Sequence, residues 1–306
     1  MRIGVDLGGT KIEVAVLDAA GQEIARQRTP TRHGDYDGTV RAIADLVRAV
    51  GAKTGAQGPV GMGVPCAISA KTGLIKTSNA TFLVGRAIDK DLAAALGRKV
   101  RMENDANCFA LAETIDGAAR GAQCVFGAIL GTGVGAGIVM GNKVFSGNTG
   151  IAGEWGHNPL PWPEAHEFPG PRCYCGRYGC MERYVSGTAF AADHAARTGR
   201  MLKGEEIVAA MRAGDAEART TYDRYARSLA RGLAVIANVL DPNAFVLGGG
   251  MSNVDEIYRD LPRLMRPHVL SDEFDTPILK PVHGDSAGVR GAAWLWGDDS
   301  DATHTP

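Results

Sequence analysis

The chain has 306 residues, 45% of them hydrophobic, enough to bury a large core and to divide into about two domains. Its 33 basic residues stand against 34 acidic ones and both are spread along the sequence, which excludes the basic footprint of a nucleic-acid binder and leaves an anionic ligand to be held locally. The start, MRIGVDLGGTKIEV, has strand patterning where a signal peptide would have a basic and then an apolar stretch, and no apolar run approaches the roughly 18 residues of a membrane span, so a cytoplasmic protein without a membrane partner is expected.

In chain order, a strand over Arg2 to Asp6 leads through Gly8-Gly9 into a hairpin over 11–30. Ile12, Val14 and Val16 alternate there with Glu13 and Ala15, and Ala20-Gly21 supplies the turn. Residues 37–51 place Val40, Ile43, Ala44, Val47 and Val50 on one helical face. A strand is expected over 59–65, a short helix over 88–96, a strand over 99–104, and a helix from Asp105 to near Gly121. The stretch VFGAILGTGVGAGIVMGNKVFSG, 125–147, repeats the opening plan of strand, glycine turn, strand, turn and strand, which suggests two related halves. Helices over 204–213 and 216–240 then precede a buried strand that runs through Gly248, Gly249 and Gly250 into a further helix. The expected division is an N-terminal α/β domain over 1–117, completed by a helix at 288–297, a larger C-terminal α/β domain over 118–287, and a frayed polar tail over 298–306.

Each of the turns DLGGTK, GTGVGAG and GGGMSN follows an apolar strand. Glycine there lets a phosphate approach backbone N–H groups closely, although a tight hairpin needs glycine for its own reasons. The P-loop pattern G-x-x-x-x-G-K-[ST] is absent, and the sequence after GTGVGA reads as strand where a dinucleotide fold requires a helix. Cys173, Cys175 and Cys180 form C-x-C-x4-C, with Gly176 and Gly179 letting three thiolates converge. A redox pair would more naturally be C-x-x-C, and three thiolates leave a tetrahedral zinc one ligand short, with His157 and His166 both upstream. Asp105 stands at a strand-to-helix junction, where it serves either as a helix N-cap or as a catalytic carboxylate.

The motifs GVDLGGTK (4–11), ENDANC (103–108), GTGVGAG (131–137), EWGH (154–157), CYCGRYGCME (173–182) and LGGG (247–250) occur in the order of the ROK family of sugar kinases and repressors, which the chain resembles over about residues 2–296. Within that family EWGHNPLPWPE and GDSAGVRGAAWLW look most like bacterial fructokinases, also called manno(fructo)kinases. The resemblance implies a two-domain α/β fold of the actin-like ATPase, ribonuclease H-like type. It also implies an ATP-dependent kinase acting on the 6-hydroxyl of a hexose, D-fructose first and D-mannose second, with N-acetylglucosamine or glucose as the alternative. Asp105 is then the residue that takes the proton of the attacking hydroxyl. Asn79, Asn104, Glu154, His157 and Glu182 contact the sugar together with it.

On the donor side the resemblance places ATP phosphates against Gly8, Gly9, Thr10 and Lys11 and against Gly131, Thr132, Gly133 and Gly135, with adenosine near Gly248, Gly249 and Gly250. Asp6 holds Mg²⁺ through water, as suits a hard oxygen ligand. His157 is the fourth ligand of a structural Zn²⁺ beside Cys173, Cys175 and Cys180, one ring nitrogen facing the metal and the other a sugar hydroxyl, with His166 as the alternative. Relatives of this kind are homodimers. A ROK repressor would need a helix-turn-helix ahead of the domain, where this chain has only Met1 before its first strand, so a non-catalytic sugar-sensing regulator is the lesser expectation.

Overall fold

The computed structural model describes residues 1–69, 71–78 and 80–297; Asn79 and the tail expected at 298–306 lie outside the described residues. The described residues divide into two compact units, one within 1–123, 137–152 and 282–297, the other within 124–136 and 153–281.

In the first unit, β1 (Arg2–Leu7), β2 (Lys11–Leu17) and β3 (Glu23–Pro30) form an antiparallel meander. Helix α1 (Tyr36–Thr54) starts where Asp35 accepts the N–H of Gly38, and it buries the face predicted from its periodicity. The chain then returns through β4 (Val60–Val64) into a two-stranded ribbon, β5 (Cys66–Ile68) and β6 (Ile75–Ser78), which the sequence pattern does not announce. Helix α2 (Ile88–Leu96), β7 (Val100–Asn104) and α3 (Asp105–Ile115) follow. The sheet order is β3-β2-β1-β4-β7, with β1, β4 and β7 parallel. Ile3, Val5, Val14, Met62 and Val64 make its core with the buried face of α1.

Helix α3 stops at Ile115, short of the expected end near Gly121, because the chain folds back onto Glu113. The carbonyl of Glu113 takes the N–H of Ala119 at 2.8 Å and its carboxylate takes that of Ala118 at 2.9 Å.

The second sheet holds β8 (Cys124–Leu130), β9 (Val134–Met140) and β10 (Lys143–Val144). After α4 (Glu182–Val185), α5 (Gly187–Thr198), α6 (Gly204–Arg212) and α7 (Ala216–Leu240) come β11 (Ala244–Gly248), α8 (Asp255–Met265) and β12 (Ile278–Leu279). The order β10-β9-β8-β11-β12 has the same plan as the first sheet, with β8, β11 and β12 parallel. In the second unit Phe126 of β8 stands edge-on to both Trp155 and Phe245.

Helix α9 (Ala287–Trp294) belongs to the first unit. It packs so closely on β4 that a Cβ at Gly61 would fall 1.8 Å from the carbonyl oxygen of Ala292. Among the described residues no helix is long and apolar enough to cross a membrane.

Candidate active site

In the first unit the turn after β1 is closed by the N–H of Gly8 donating to the Lys11 carbonyl at 2.9 Å, and the Thr31 hydroxyl donates to the Gly8 carbonyl at 2.8 Å. Gly9 and Thr10 are exposed at its tip. Lys11 does not stand alone: its ammonium lies 3.2 Å from the buried carboxylate of Glu13, which also pairs with Arg26 at 2.9 Å and Arg28 at 2.6 Å. Asp6 is the cross-strand neighbour of Glu13. Burial, then the carboxylates of Asp105 and Glu13, push the Asp6 carboxyl up to about 6 against a smaller opposing pull from Lys11. Carboxylates crowded in this way are relieved by a bound cation.

At the junction of β7 and α3 the N-cap position is not that of Asp105. The N-cap is Asn104, whose Oδ1 accepts the Ala106 N–H at 2.8 Å while its Nδ2 donates to the Cys66 carbonyl at 2.9 Å. Asp105 is the first residue of the helix, and its Oδ1 shares the Ala106 N–H with the cap at 2.9 Å. Glu103, not singled out from the sequence, braces this turn. Its Oε1 accepts from the Asn104 N–H and from Asn107 Nδ2, and its Oε2 accepts from Ser146 Oγ at 2.8 Å. Its place in the same END triplet was the available signal.

In the second unit the turn between β8 and β9 is tied to the start of α5. The Gly131 carbonyl takes the Gly187 N–H at 2.7 Å, and the Thr132 carbonyl takes the Thr188 hydroxyl at 2.7 Å. Because β8 and β11 run parallel with Ile129 opposite Gly248, the turn after β11 lies on this one, and Gly249 rests against the Leu130–Gly131 peptide. Gly250 opens a short 3₁₀ turn before α8. Glu182, at the start of α4, accepts the Val134 N–H through Oε2 at 3.0 Å. A Cβ on Gly133 would come within 2.7 Å of that same oxygen.

Glu154 and His157 are held by what lies between them. Trp155 is buried and its indole N–H donates to the Gly135 carbonyl at 3.0 Å. At Gly156 a Cβ would stand 2.4 Å from the Val134 carbonyl oxygen, so only glycine lets this turn lie against the start of β9.

The cysteine loop completes the unit. One donor atom each from His157, Cys173, Cys175 and Cys180 lies within 4.8 Å of all the others. Nδ1 of His157 is 3.7 Å from Cys173 Sγ, and Cys175 Sγ is 3.6 Å from Cys180 Sγ. Two thiolates on one tetrahedral zinc, each bonded at about 2.3 Å, stand about 3.8 Å apart, so the donor set has the size such an ion requires. Burial, then the neighbouring thiols of Cys175 and Cys173, push Cys180 up to about 12, whereas the backbone N–H of Arg177 lowers Cys175. A coordinating cation would overcome that mutual suppression. His166 lies apart from this cluster, with Nε2 2.6 Å from Arg224 Nη1 and Nδ1 3.4 Å from Glu164. The other nitrogen of His157, Nε2, meets the hydroxyl of Tyr174 at 2.8 Å and lies 4.0 Å from Glu154 Oε2. Tyr174 was not picked out from the sequence. A cavity of 280 Å³ in this unit, lined by Tyr184, Phe190, Asp193, Arg224 and Tyr225 among others, includes none of the candidate sugar or phosphate residues.

Residues 2–299 match the model described as the ROK family. The N-acetyl-D-glucosamine kinase of Aliivibrio salmonicida is 42% identical over 299 residues, covering 96% of this chain and 99% of that protein. The ROK hexokinase structure from Thermus thermophilus has a TM-score of 0.86 at 32% identity, with 96% of this chain and 97% of that one covered. A ROK family glucokinase from Streptomyces griseus, solved with glucose and AMPPNP, has a TM-score of 0.75 at 31% identity over 96% and 98% of the two chains. The fold is accordingly the α/β, actin-like ATPase type, with two mixed sheets.

Proposed function

The chain belongs to the ROK family as a sugar kinase, and we propose that its acceptor is N-acetyl-D-glucosamine, phosphorylated by ATP at the 6-hydroxyl. The observation that carries this choice is the 42% identity to an N-acetyl-D-glucosamine kinase along nearly the whole of both chains. It displaces fructose, which the EWGHNPLPWPE stretch suggested, to second place, since a short local likeness weighs less than a full-length one.

On this reading Asp105 orients the attacking hydroxyl and receives its proton; phosphoryl transfer depends mainly on positioning and charge stabilisation, so a strong base is not required. Glu154, His157 and Glu182 offer acceptors and a ring N–H to the sugar hydroxyls. Asn104 contributes through the turn it caps, because both ends of its amide are already bonded. Phosphates of ATP lie against Gly8–Lys11 and Gly131–Gly135, with adenosine near Gly248–Gly250, and Asp6 holds Mg²⁺ through water. His157 Nδ1 and the thiolates of Cys173, Cys175 and Cys180 would hold zinc; four protein donors close the tetrahedron, so its contribution is to the shape of the loop. A homodimer is part of the same proposal, and the mass in solution tests it.

The deciding experiment is ATP-dependent ADP release measured with N-acetylglucosamine, glucose, mannose and fructose. The largest kcat/KM is expected with N-acetylglucosamine; a larger value with fructose would restore the first expectation and overturn this one.

A further inference from the structure

The imidazole of His157 has one nitrogen, Nδ1, among the thiols. With that nitrogen on a metal, Nε2 carries the proton and can donate a single hydrogen bond. Its partner is in place: the hydroxyl of Tyr174 lies 2.8 Å from Nε2 and would then accept, and the phenol ring stands edge-on to the imidazole with centroids 5.0 Å apart. Tyr174 is nevertheless 81% exposed, so little besides this contact holds it. Glu154 Oε2 lies 4.0 Å from the same Nε2, and an alcohol between them could accept from the ring and donate to the carboxylate. The phenol therefore engages the ring nitrogen that a sugar hydroxyl would use.

We infer that Tyr174 is a displaceable place-holder: in the sugar-free enzyme its hydroxyl takes the Nε2–H of His157, and an arriving sugar hydroxyl takes it over as the phenol swings into solvent. The inference rests on the proposed contact of His157 with the sugar. The arrangement keeps the imidazole oriented before the sugar arrives, and it weakens sugar binding by the strength of the bond that must be exchanged. With the phenolic oxygen removed, water fills the place and is displaced at no net loss of bonds.

The test is calorimetric binding of N-acetylglucosamine, without nucleotide, to the full chain and to Tyr174→Phe and His157→Asn, with zinc content and melting temperature measured on each. Tyr174→Phe is expected to bind the sugar about two- to tenfold more tightly, the range of one net hydrogen bond. Its KM should fall in proportion, with kcat unchanged and zinc retained. Unchanged or weaker binding in Tyr174→Phe overturns the place-holder, weaker binding because the phenol would then be a sugar contact. Sugar binding that survives His157→Asn unchanged would instead remove the role of His157, and the inference with it. The two failures are thus read from different variants, and the wild-type turnover assay stands apart from both.

Discussion

Replacing Gly133 by alanine probes how the glycine turn after β8 is connected to the acceptor side. The sequence attaches this glycine to phosphates alone; the structure attaches it also to Glu182. An added Cβ would stand 2.7 Å from Glu182 Oε2, about 0.7 Å inside ordinary contact. Gly133 has a backbone conformation open to any residue, so the substitution acts through that one methyl group. To relieve the overlap the carboxylate has to leave the Val134 N–H, a bond to a charged group worth about 1.5–3 kcal/mol. A binding group misplaced by about 1 Å can cost a hundredfold. The affinity for N-acetylglucosamine is therefore expected to fall by about ten- to a hundredfold, measured by calorimetry without nucleotide, and the KM for ATP should rise as well. If the KM for ATP alone rises while sugar affinity stays within twofold of wild type, Glu182 is not an acceptor residue held through this turn.

Asp105→Asn should lower kcat by about a hundredfold or more while leaving sugar affinity in place, and a variant with over half of wild-type turnover would refute the assignment. The purified chain should contain about one zinc, lost together with thermal stability in Cys175→Ser and retained in His166→Ala; loss in His166→Ala with full zinc in His157→Ala would move the fourth ligand. The Asp6 carboxyl, raised to about 6 by burial and then by Asp105, is protonated below that pH and loses its hold on a cation, so the Mg²⁺ concentration for half-maximal activity should rise as pH falls from 7.5 to 5.5. The sign for stability is the reverse of a salt-bridged acid: the folded state disfavours the charge, the cost appears above the ordinary value of 3.8 and is complete above about 6, and Asp6→Asn should raise the melting temperature at pH 8 but not at pH 4. A pH-independent Mg²⁺ requirement would set aside the role given to Asp6.

The elements that the sequence announces are those whose burial is periodic. Ile12, Val14 and Val16 alternate in β2, the stripe of α1 repeats at helical spacing, and the strand–turn–strand plan of 125–147 reappears as a second sheet of matching order. Elements too short or too plain for a period escape. The strands β5 and β6 have three and four residues, and α5 buries only Ala189, Phe190 and His194 along an alanine-rich helix without a continuous apolar stripe. The end of α3 was misplaced for another reason. Glu113 caps its own chain reversal and also accepts the N–H groups of Val282 and His283, partners 169 and 170 residues away that no local pattern reveals.

Candidate site residues divide along the same line: motif spelling names Asp105, His157, the cysteines, Asn104 and Glu182, but not which of them hold the others in place. Glu103 and Asn104 sit in the same triplet as Asp105, yet only the hydrogen bonds show that Asn104 caps the helix, that Glu103 braces the turn and that Asp105 Oδ1 also accepts the Ala106 N–H at 2.9 Å. Glu182 makes the point for the cysteine loop. One of its oxygens accepts from Val134 in the glycine turn, and the other lies 4.0 Å from the thiol of Cys173. It follows two residues after Cys180, itself within the metal-sized cluster. On the proposed zinc site, loss of the metal would release Glu182 and His157 together and, through Glu182, loosen the turn between β8 and β9. On the proposed reading the cysteines anchor the second unit's part of the site, and this is why their spacing and the EWGH motif belong to one constellation.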